Sequence, residues 1–490
     1  MTDTIQFNEF YNIISNEKRS AEQVHHGIDP ATEETLWPVP VASQQDLDEA
    51  VASARLAFTE WSARDHAARV QCLGALADKL EAHASELTTL LHRETGKPLE
   101  FAKGEILGGI ATLRSHLAWS VPDEVQKDDH EVKVVIQHAP LGAVAGIVPW
   151  NFPFQLSIIK IAPALAVGCT LILKPSPFTP YTALKIGEIA AQVLPPGVLQ
   201  ILGGDDNLGP WMTQHPGIDK VSFTGSIATG KRVVAATSET LKKVNLELGG
   251  NDAAIVTADF DPAEAAAMVA RSTFAHSGQI CIATKRIYVH ESVLDEFMGH
   301  FTAIVRGYKQ GEGFCSPIQN RMQYEKVKSL YQYCKENGYQ VAVGSCDRAW
   351  NDSEPGFYME PAVILNPPDN SRVVQEEAFG PIVPVMSWKD EEDVVRRAND
   401  TLTGLGGTVF CRDQQRAWKL ASSLTTGNVW VNSGLKMDPV ALFGAQKQSG
   451  IGCALGPLGL KAFTTTRTIT YWKDVAPIEK GQTKAGGLFG

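Results

Sequence analysis

The chain has 490 residues, of which 44% are hydrophobic and 20% are charged, and its formal net charge is −11. This length predicts two or three domains, and the composition is typical of a folded globular protein and not of a disordered chain. An acidic surface repels phosphate backbones, so no nucleic acid is expected as a main partner.

The first predicted elements are helices between residues 45 and 110 and a strand at 131–137. Residues 139–159 carry no formal charge and resemble a membrane span in length. Pro149 and Pro153 would break a spanning helix, because lipid offers no partner for the freed carbonyls. We therefore predict a buried strand, a turn and a helix from about Phe154, and no membrane partner.

Strand-like apolar runs alternate with helix-like segments from residue 141 to 246, and the clearest of these helices covers 181–193. The runs lie at 143–148, 170–173, 198–202, 220–223 and 244–246. Such alternation predicts βαβ units with a parallel sheet, which binds ligands at the carboxyl ends of its strands.

The pattern restarts at residue 253 and predicts a second α/β domain. Its clearest helices are 263–275 and 294–305, and its clearest strands are 287–289 and 408–410. Residues 474–490 are expected to form a surface tail.

Eight cysteines are scattered along the chain, and no two form a C-x-x-C pair. This spacing disfavours a disulfide framework and a four-thiolate zinc site, so no metal is predicted. Scattered thiols are typical of a reducing compartment, and the first 20 residues contain no apolar signal-peptide core. We therefore expect a cytoplasmic protein.

A glycine-containing loop follows the strand at 220–223. Gly225, Gly230 and Lys231 match the phosphate-binding pattern G-x-x-x-x-G-K, but Arg232 stands where an NTPase has Ser or Thr for Mg²⁺. The loop indicates a phosphate-bearing cofactor, because glycine and a helix N-terminus let backbone N–H groups approach phosphate. An ordinary turn between a strand and a helix remains the alternative.

Three further side chains suit covalent catalysis. Glu247 ends an apolar strand and could act as a base, although a solvated acid is the commoner explanation. Cys281, in the segment SGQIC, could be a nucleophile or a small buried hydrophobe. Asn151, between two prolines in PWNFP, could donate to an oxyanion or simply form a turn.

Two more motifs are Glu376–Pro381 (EEAFGP) and Lys174–Ser176 (KPS). Lys174 closes an apolar strand, where its ammonium could reach a ribose or a phosphate. A lysine in solvent at the end of a strand is the alternative.

Taken together and in this order, PWNFP, LILKPS, SFTGS, LELGGN, GQIC and EEAFGP resemble the motifs of the NAD(P)-dependent aldehyde dehydrogenase superfamily. The resemblance covers roughly residues 25 to 470. It implies an α/β fold in which a Rossmann-like dinucleotide-binding domain (1–116 and 138–248) joins a second α/β catalytic domain (249–465). It also implies a β oligomerisation arm and tail (117–137 and 466–490) and hence a homo-oligomer, either a dimer or a tetramer.

The resemblance implies a mechanism of aldehyde oxidation. Cys281 attacks the aldehyde to form a thiohemiacetal, whose oxyanion the Asn151 side chain and the Cys281 backbone N–H stabilise. Hydride passes to the nicotinamide, and Glu247 activates the water that hydrolyses the resulting thioester to a carboxylic acid. Lys160 is expected to belong to a proton relay from Glu247.

The resemblance also assigns binding residues. The cofactor set is Trp150, Lys174, Ser176, Gly225, Ser226, Gly230, Leu248, Glu377 and Phe379. The aldehyde pocket is mostly apolar, which favours a neutral or aromatic aldehyde, and comprises Phe152, Gln155, Ile159, Ile280, Ile282 and Phe443.

Two positions depart from the family pattern. Pro177 stands where NAD-preferring members often have an acid near the adenosine 2′-hydroxyl, so NAD is favoured over NADP only slightly. Ala454 stands where members often have an acid that would pair with Lys160, which puts the relay in doubt. A CoA-acylating dehydrogenase is the second hypothesis, disfavoured by Glu247, and a phosphate-loop NTPase is the third.

Overall fold

The computed structural model describes residues 5–347, 350, 354–438 and 440–473; the predicted tail at 474–490 lies outside them. The helices in these residues are α1 (Gln44–Ala63), α2 (His66–Ala82), α3 (Ala84–Thr95), α4 (Leu99–His116), α5 (Pro153–Val167), α6 (Tyr181–Ala190), α7 (Leu208–Gln214), α8 (Ile227–Thr237), α9 (Pro262–Phe274), α10 (Leu294–Arg306), α11 (Arg321–Glu336), α12 (Arg372–Gln375), α13 (Glu391–Asn399), α14 (Gln414–Ser423) and α15 (Gly456–Lys461).

The strands are β1 (Asn12–Ile14), β2 (Glu17–Arg19), β3 (Val24–Ile28), β4 (Thr35–Pro40), β5 (Glu124–Asp128), β6 (Val132–Pro140), β7 (Ala143–Ile147), β8 (Thr170–Lys174), β9 (Leu199–Ile201), β10 (Lys220–Thr224), β11 (Lys243–Glu247), β12 (Asp252–Val256), β13 (Thr284–His290), β14 (Val341–Val343), β15 (Ala362–Leu365), β16 (Ile382–Trp388), β17 (Thr403–Gly404), β18 (Gly406–Phe410), β19 (Asn428–Val431), β20 (Phe443–Gly444), β21 (Gln446–Lys447), β22 (Gly450–Ile451), β23 (Cys453–Ala454) and β24 (Thr464–Trp472).

The first large sheet has the strand order β2-β1-β9-β8-β7-β10-β11-β22. Its five central strands, β9 to β11 in that order, are mutually parallel, which confirms the βαβ units predicted between 141 and 246. Strands β7 and β8 are buried at every residue, as expected for a sheet covered on both faces. The carboxyl ends of the parallel strands meet at one edge, where the chain continues into the predicted cofactor residues.

The second large sheet has the order β14-β15-β16-β13-β12-β18-β19 and is parallel except for β14. It confirms the second α/β region predicted from residue 253. Residues 248–251 join the carboxyl end of β11 in the first sheet to the amino end of β12 in the second. Cys281 precedes β13 and therefore lies at the same amino-terminal edge of the second sheet.

A third sheet pairs β24, β6 and β5. Strand β6 runs to Pro140, beyond the predicted end at 137, and β24 starts at Thr464, before the predicted start at 469. Both strands are longer than predicted because their pairing continues from Thr464↔Pro140 to Trp472↔Val132. Strand β24 leaves Ile469, Tyr471 and Trp472 exposed. A role of this sheet in oligomerisation stays a prediction.

A few predicted boundaries move. Helix α6 ends at Ala190 and not at 193, and Pro195 and Pro196, which cannot continue a helix, follow five residues later. Strand β22 joins the first sheet although it lies inside the range predicted for the catalytic domain, and the domain boundaries stay a prediction. Among the described residues, no helix is long and apolar enough to cross a membrane.

Candidate active site

Cys281 is reached through an unusual backbone turn. His276 and Ser277 both have positive φ, 50° and 52°, and Gly278 follows at 76°. Non-glycine residues in this region carry strain that the surroundings must hold in place. Here the Ser277 hydroxyl donates to Ser316 O at 2.5 Å, and a side chain on Gly278 would overlap Gly380 O. The half-buried Cys281 follows this strained turn, which fixes its position.

Asn151 lies beside the same turn. Its amide Nδ2 donates to the carbonyl of Gln279 at 2.9 Å, two residues before Cys281. An amide NH₂ group has two donors, so one hydrogen is left for another acceptor. Asn151 is 5% exposed, and the structure therefore brings the predicted oxyanion donor and the predicted nucleophile into one buried site.

A buried ion pair that the sequence analysis missed holds the Asn151 turn. Lys97 pairs with Glu105, and its ammonium also donates to Asn151 O at 2.6 Å. Glu105 Oε1 accepts from the backbone N–H groups of Phe154 and Gln155, in the first turn of α5. The pair thus satisfies the carbonyl of the turn and the N–H groups of the helix that follows it.

Glu247 ends β11, as predicted, and is only 6% exposed. Both carboxylate oxygens are buried, and no hydrogen-bond partner is found for either among the described residues. Burial raises the pKa of Glu247 to about 8, against the opposing effects of Lys160 and Asn245. A carboxyl group with a pKa near neutral pH is suited to act as a general base.

Lys160, on α5, lies close enough to Glu247 for their charges to interact. Burial lowers the pKa of Lys160 to about 7, and the Glu247 carboxylate opposes this shift. Its ammonium donates to the hydroxyls of Ser222 at 3.2 Å and Thr224 at 3.0 Å, both on β10. These hydroxyls supply partners for Lys160 although Ala454 does not, a compensation that the sequence analysis did not foresee.

The Cys281 thiol is not activated in the isolated protein. Burial raises its pKa to about 12, the charge of Lys285 lowers it, and the carboxylates of Glu377, Asp252 and Glu247 raise it further. The thiol is therefore protonated at neutral pH, and attack on an aldehyde requires that a base remove its proton.

The predicted cofactor residues lie along the carboxyl edge of the first sheet and on the facing loop. Trp150 and Phe379 form an edge-to-face pair with ring centroids 5.3 Å apart. Glu377 Oε1 accepts from the Gly250 N–H at 3.1 Å. Gly225 N donates to Glu247 O at 3.0 Å, which ties the glycine loop to the strand of the predicted base.

The remaining cofactor positions are structurally consistent with a phosphate-bearing ligand. Ser226 caps α8 by accepting from Thr229 N at 3.2 Å, and the other N–H groups of the first turn have no partner within the helix. A Cβ on Gly230 would lie 2.6 Å from Leu248 Cδ1, so glycine allows α8 to pack directly on Leu248. The Ser176 hydroxyl accepts from Phe178 N at 3.3 Å and shapes the loop after β8.

Lys174 provides the test of whether a dinucleotide fits. Its ammonium is buried, yet in the described part of the chain the acceptor found for it is Pro175 O at 3.3 Å. An ammonium has three donors, and burying it with unmet donors is unfavourable. Burial lowers its pKa to about 8, and the charges of Asp206 and Asp205 oppose that shift. Ribose hydroxyls at this position would satisfy the free donors, so the residues fit a dinucleotide.

The predicted aldehyde pocket is assembled in part. Phe152, Ile280 and Ile282 belong to one apolar cluster around the Cys281 turn, with Phe314 and Leu435, which the sequence analysis did not find. Ile159 and Phe443 are half-buried and lie outside that cluster. Gln155 donates to Thr112 Oγ1 at 2.9 Å, so its amide is already engaged.

Comparison with known proteins agrees with this site. The sequence pattern of the aldehyde dehydrogenase family matches residues 16–469. A putative aldehyde dehydrogenase, FUS7 of Gibberella fujikuroi, is 38% identical over 96% of this chain and 100% of that protein. Aldehyde dehydrogenase 1A1 of Oryctolagus cuniculus is 35% identical over 94% of each.

A solved structure, the NAD+ complex of an aldehyde dehydrogenase from Bacillus cereus, superposes with a TM-score of 0.91 at 32% identity and covers 95% of this chain and 97% of that chain. These matches confirm the predicted α/β fold and disfavour the NTPase and CoA-acylating alternatives. The chain therefore belongs to the aldehyde dehydrogenase family, oxidoreductases that oxidise aldehydes to carboxylic acids with NAD(P)+.

Proposed function

We propose that this aldehyde dehydrogenase acts on a neutral or aromatic aldehyde through a thioester on Cys281, with Asn151 as oxyanion donor and Glu247 as the hydrolytic base. The observation that carries the proposal is the 2.9 Å bond from Asn151 Nδ2 to Gln279 O, which fixes the amide beside the Cys281 turn. The buried Glu247 carboxyl is the third catalytic group of the proposal, beside Cys281 and Asn151.

The chemistry of each residue follows from its surroundings. The Cys281 thiol loses its proton and its sulfur bonds to the aldehyde carbon, while the carbonyl oxygen gains charge. The free hydrogen of the Asn151 amide and the Cys281 N–H stabilise that charge, and loss of one such donor costs about 2.7–4 kcal/mol. The bound nicotinamide supplies the hydride acceptor. Glu247 then takes a proton from the water that hydrolyses the thioester.

The cofactor is held, in this proposal, by the residues of the first sheet and by Glu377 and Phe379. Lys174 and Glu377 bind the two ribose units, and Gly225, Ser226 and Gly230 lie near the pyrophosphate. The walls of the cofactor site are formed by Trp150, Leu248 and Ser176. Phe379 packs by the nicotinamide. The uncommitted ammonium donors of Lys174 support this arrangement.

The apolar cluster around Cys281 supports a neutral aldehyde. Phe152, Ile280 and Ile282 carry no charge that could pair with a substrate carboxylate. In a 340 nm absorbance screen with NAD+ and with NADP+, kcat/KM for benzaldehyde or hexanal is expected to exceed that for succinate semialdehyde at least about tenfold. A preference for the carboxylate-bearing aldehyde would contradict the proposed substrate class.

The pH dependence of thioester hydrolysis should report Glu247. Because its pKa is raised to about 8, the carboxyl is largely protonated at pH 6 and becomes the active carboxylate as the pH rises through 8. We expect the hydrolysis rate to rise about tenfold per pH unit below that value. Lys160→Met removes a charge that lowers this pKa, so the rising limb should move to higher pH. A hydrolysis rate independent of pH between 6 and 8 would exclude this role of Glu247.

Cofactor choice should respond to position 177. Pro177 provides no carboxylate to repel a 2′-phosphate, so we expect the two cofactors to differ by about tenfold to a hundredfold in kcat/KM, with NAD preferred. Pro177→Glu should increase the preference for NAD, because two nearby like charges repel. The measurement is the ratio of kcat/KM for NAD and NADP in both proteins. Exclusion of NADP by several thousandfold in the unaltered protein would show that another residue discriminates.

We also propose that the chain forms a homo-oligomer, a dimer or a tetramer, through the exposed strand β24. The exposed Ile469 and Tyr471 on one face of β24 and the exposed Trp472 on the other support this assignment, because exposed large apolar side chains are typical of a protein contact. Sedimentation equilibrium would give the stoichiometry. A cytoplasmic location stays a prediction.

A further inference from the structure

Lys285 is a buried lysine directly behind the nucleophile. It lies in β13 and is 6% exposed. Its ammonium donates to Ile280 O and to Cys281 O, each at 2.8 Å, and to Ala283 O at 3.3 Å. All three acceptors belong to the short segment that carries Cys281, so one ammonium fixes that segment from its carbonyl side.

The same ammonium approaches the carboxylate predicted to bind a ribose. Glu377 Oε1 lies 3.6 Å from Lys285 Nζ and also accepts from Gly250 N at 3.1 Å. Lys285 therefore stands between the Cys281 segment and the Glu377 loop. The loop has further support from α11, since Lys326 Nζ donates to Glu377 O at 3.0 Å.

The charges around Cys281 make Lys285 distinctive. The carboxylates of Glu377 and Asp252 face Cys281 from the loop before β16 and from β12, and that of Glu247 faces it from β11. All three disfavour a thiolate, and burial disfavours it further. The charge of Lys285 acts in the opposite direction and lowers the pKa of the Cys281 thiol.

We propose that Lys285 is a positioning residue that holds the Cys281 segment and the Glu377 carboxylate together. One buried cation then influences both the reactivity of the nucleophile and the affinity for the cofactor. The inference deepens the proposed function and rests on the roles assigned there to Cys281 and Glu377. Lys285 acts through the carbonyls of the Cys281 segment and through the Glu377 carboxylate.

Two variants separate the charge of Lys285 from its hydrogen bonds. Lys285→Gln keeps N–H donors without a charge, and Lys285→Arg keeps the charge in another shape. The readout is the rate of iodoacetamide alkylation of Cys281 in the cofactor-free protein, from pH 7 to 10, quantified by mass on the Cys281 peptide. Lys285→Gln should slow alkylation about tenfold at each pH below the thiol pKa, and Lys285→Arg should stay within about threefold of the unaltered protein.

Cofactor binding gives a second readout, and Lys326→Met a matched control. Lys285→Gln should also raise KM for NAD severalfold, because Glu377 loses its neighbouring cation. Lys326→Met removes a lysine that contacts the Glu377 backbone and not the Cys281 segment, so its Cys281 alkylation should match that of the unaltered protein.

Two results would overturn the proposal. The first is an unchanged rate of Cys281 alkylation in Lys285→Gln. The second is equal slowing in Lys285→Gln and Lys285→Arg, which would show that Lys285 acts through packing and not through its charge. If Lys285→Gln does not fold, Lys285→Arg decides alone. Tenfold slower Cys281 alkylation in folded Lys285→Arg would overturn the proposal, and a rate within threefold of that of the unaltered protein would support it. Because alkylation needs no turnover, a failure of the proposed catalytic role of Cys281 would be recognised separately, as activity that persists without that thiol.

Discussion

Replacing Cys281 with alanine is expected to lower kcat for NAD(P)H formation at least about a thousandfold, because no other described group can form the acyl intermediate at that position. The half-buried thiol lies two residues after Gln279, whose carbonyl accepts a hydrogen bond from the Asn151 amide. The measurement is absorbance at 340 nm with the best aldehyde of the screen. Cofactor affinity, measured by quenching of tryptophan fluorescence, should be retained.

Cys72→Ala is the matched control for that experiment. Cys72 is also a half-buried free thiol, but it lies in α2, outside the candidate active site. Its kinetics should equal those of the unaltered protein. Retained turnover in Cys281→Ala would remove Cys281 from the mechanism.

Glu247→Gln is expected to slow thioester hydrolysis about a hundredfold to ten-thousandfold, the range typical of a lost general base, and to spare hydride transfer. Glutamine keeps the shape of the buried side chain and cannot take a proton from water. Rapid mixing of enzyme, NAD+ and aldehyde should therefore show a burst of NADH, about one per active site, before a slow steady state.

The two phases of the Glu247→Gln reaction distinguish two roles of the carboxylate. A base that acts only in hydrolysis leaves the burst fast. Equal slowing of the burst and the steady state would instead assign Glu247 to removal of the Cys281 proton, a step that the high pKa of this thiol makes necessary.

Local sequence patterns were sufficient to predict the five central strands of the first sheet to within one residue at each end, but they did not predict β1, β2 or β22. The apolar runs at 143–148 and 244–246 became β7 and β11, and Glu247 lies at the carboxyl end of β11 as predicted. These features depend on alternating strand and helix segments, which are properties of neighbouring residues. The association of Asn151 with the Cys281 turn came only from the resemblance to a family, because 128 residues separate the bonded Asn151 and Gln279.

The supporting ion pairs could not be predicted from local patterns. Lys97 and Asn151 are 54 residues apart in sequence, and Lys97 looks like an ordinary lysine before a proline. Lys285 did leave a signal: with Arg286 it directly precedes the apolar run 287–289 of β13. Charged residues are almost never fully buried without partners, so two basic residues there indicate buried acceptors without identifying them.

The backbone strain before Cys281 could not be predicted from the sequence either. Gly278 suggests a turn, but the residue types of His276 and Ser277 do not specify a positive φ: histidine adopts one more often than most residues, yet only in a small minority of cases. That conformation is imposed by tertiary contacts such as the bond from Ser277 to Ser316 O. The geometry of the nucleophile therefore depends on a loop 39 residues further along the chain.

The central claim is that oxidation proceeds through an acyl group on Cys281 that Glu247 removes. Its most direct test is mass analysis of Glu247→Gln quenched with acid after the NADH burst with benzaldehyde. The account predicts a benzoyl adduct on the peptide that contains Cys281, at about one per chain. NADH release at full burst amplitude with no adduct on that peptide would contradict it.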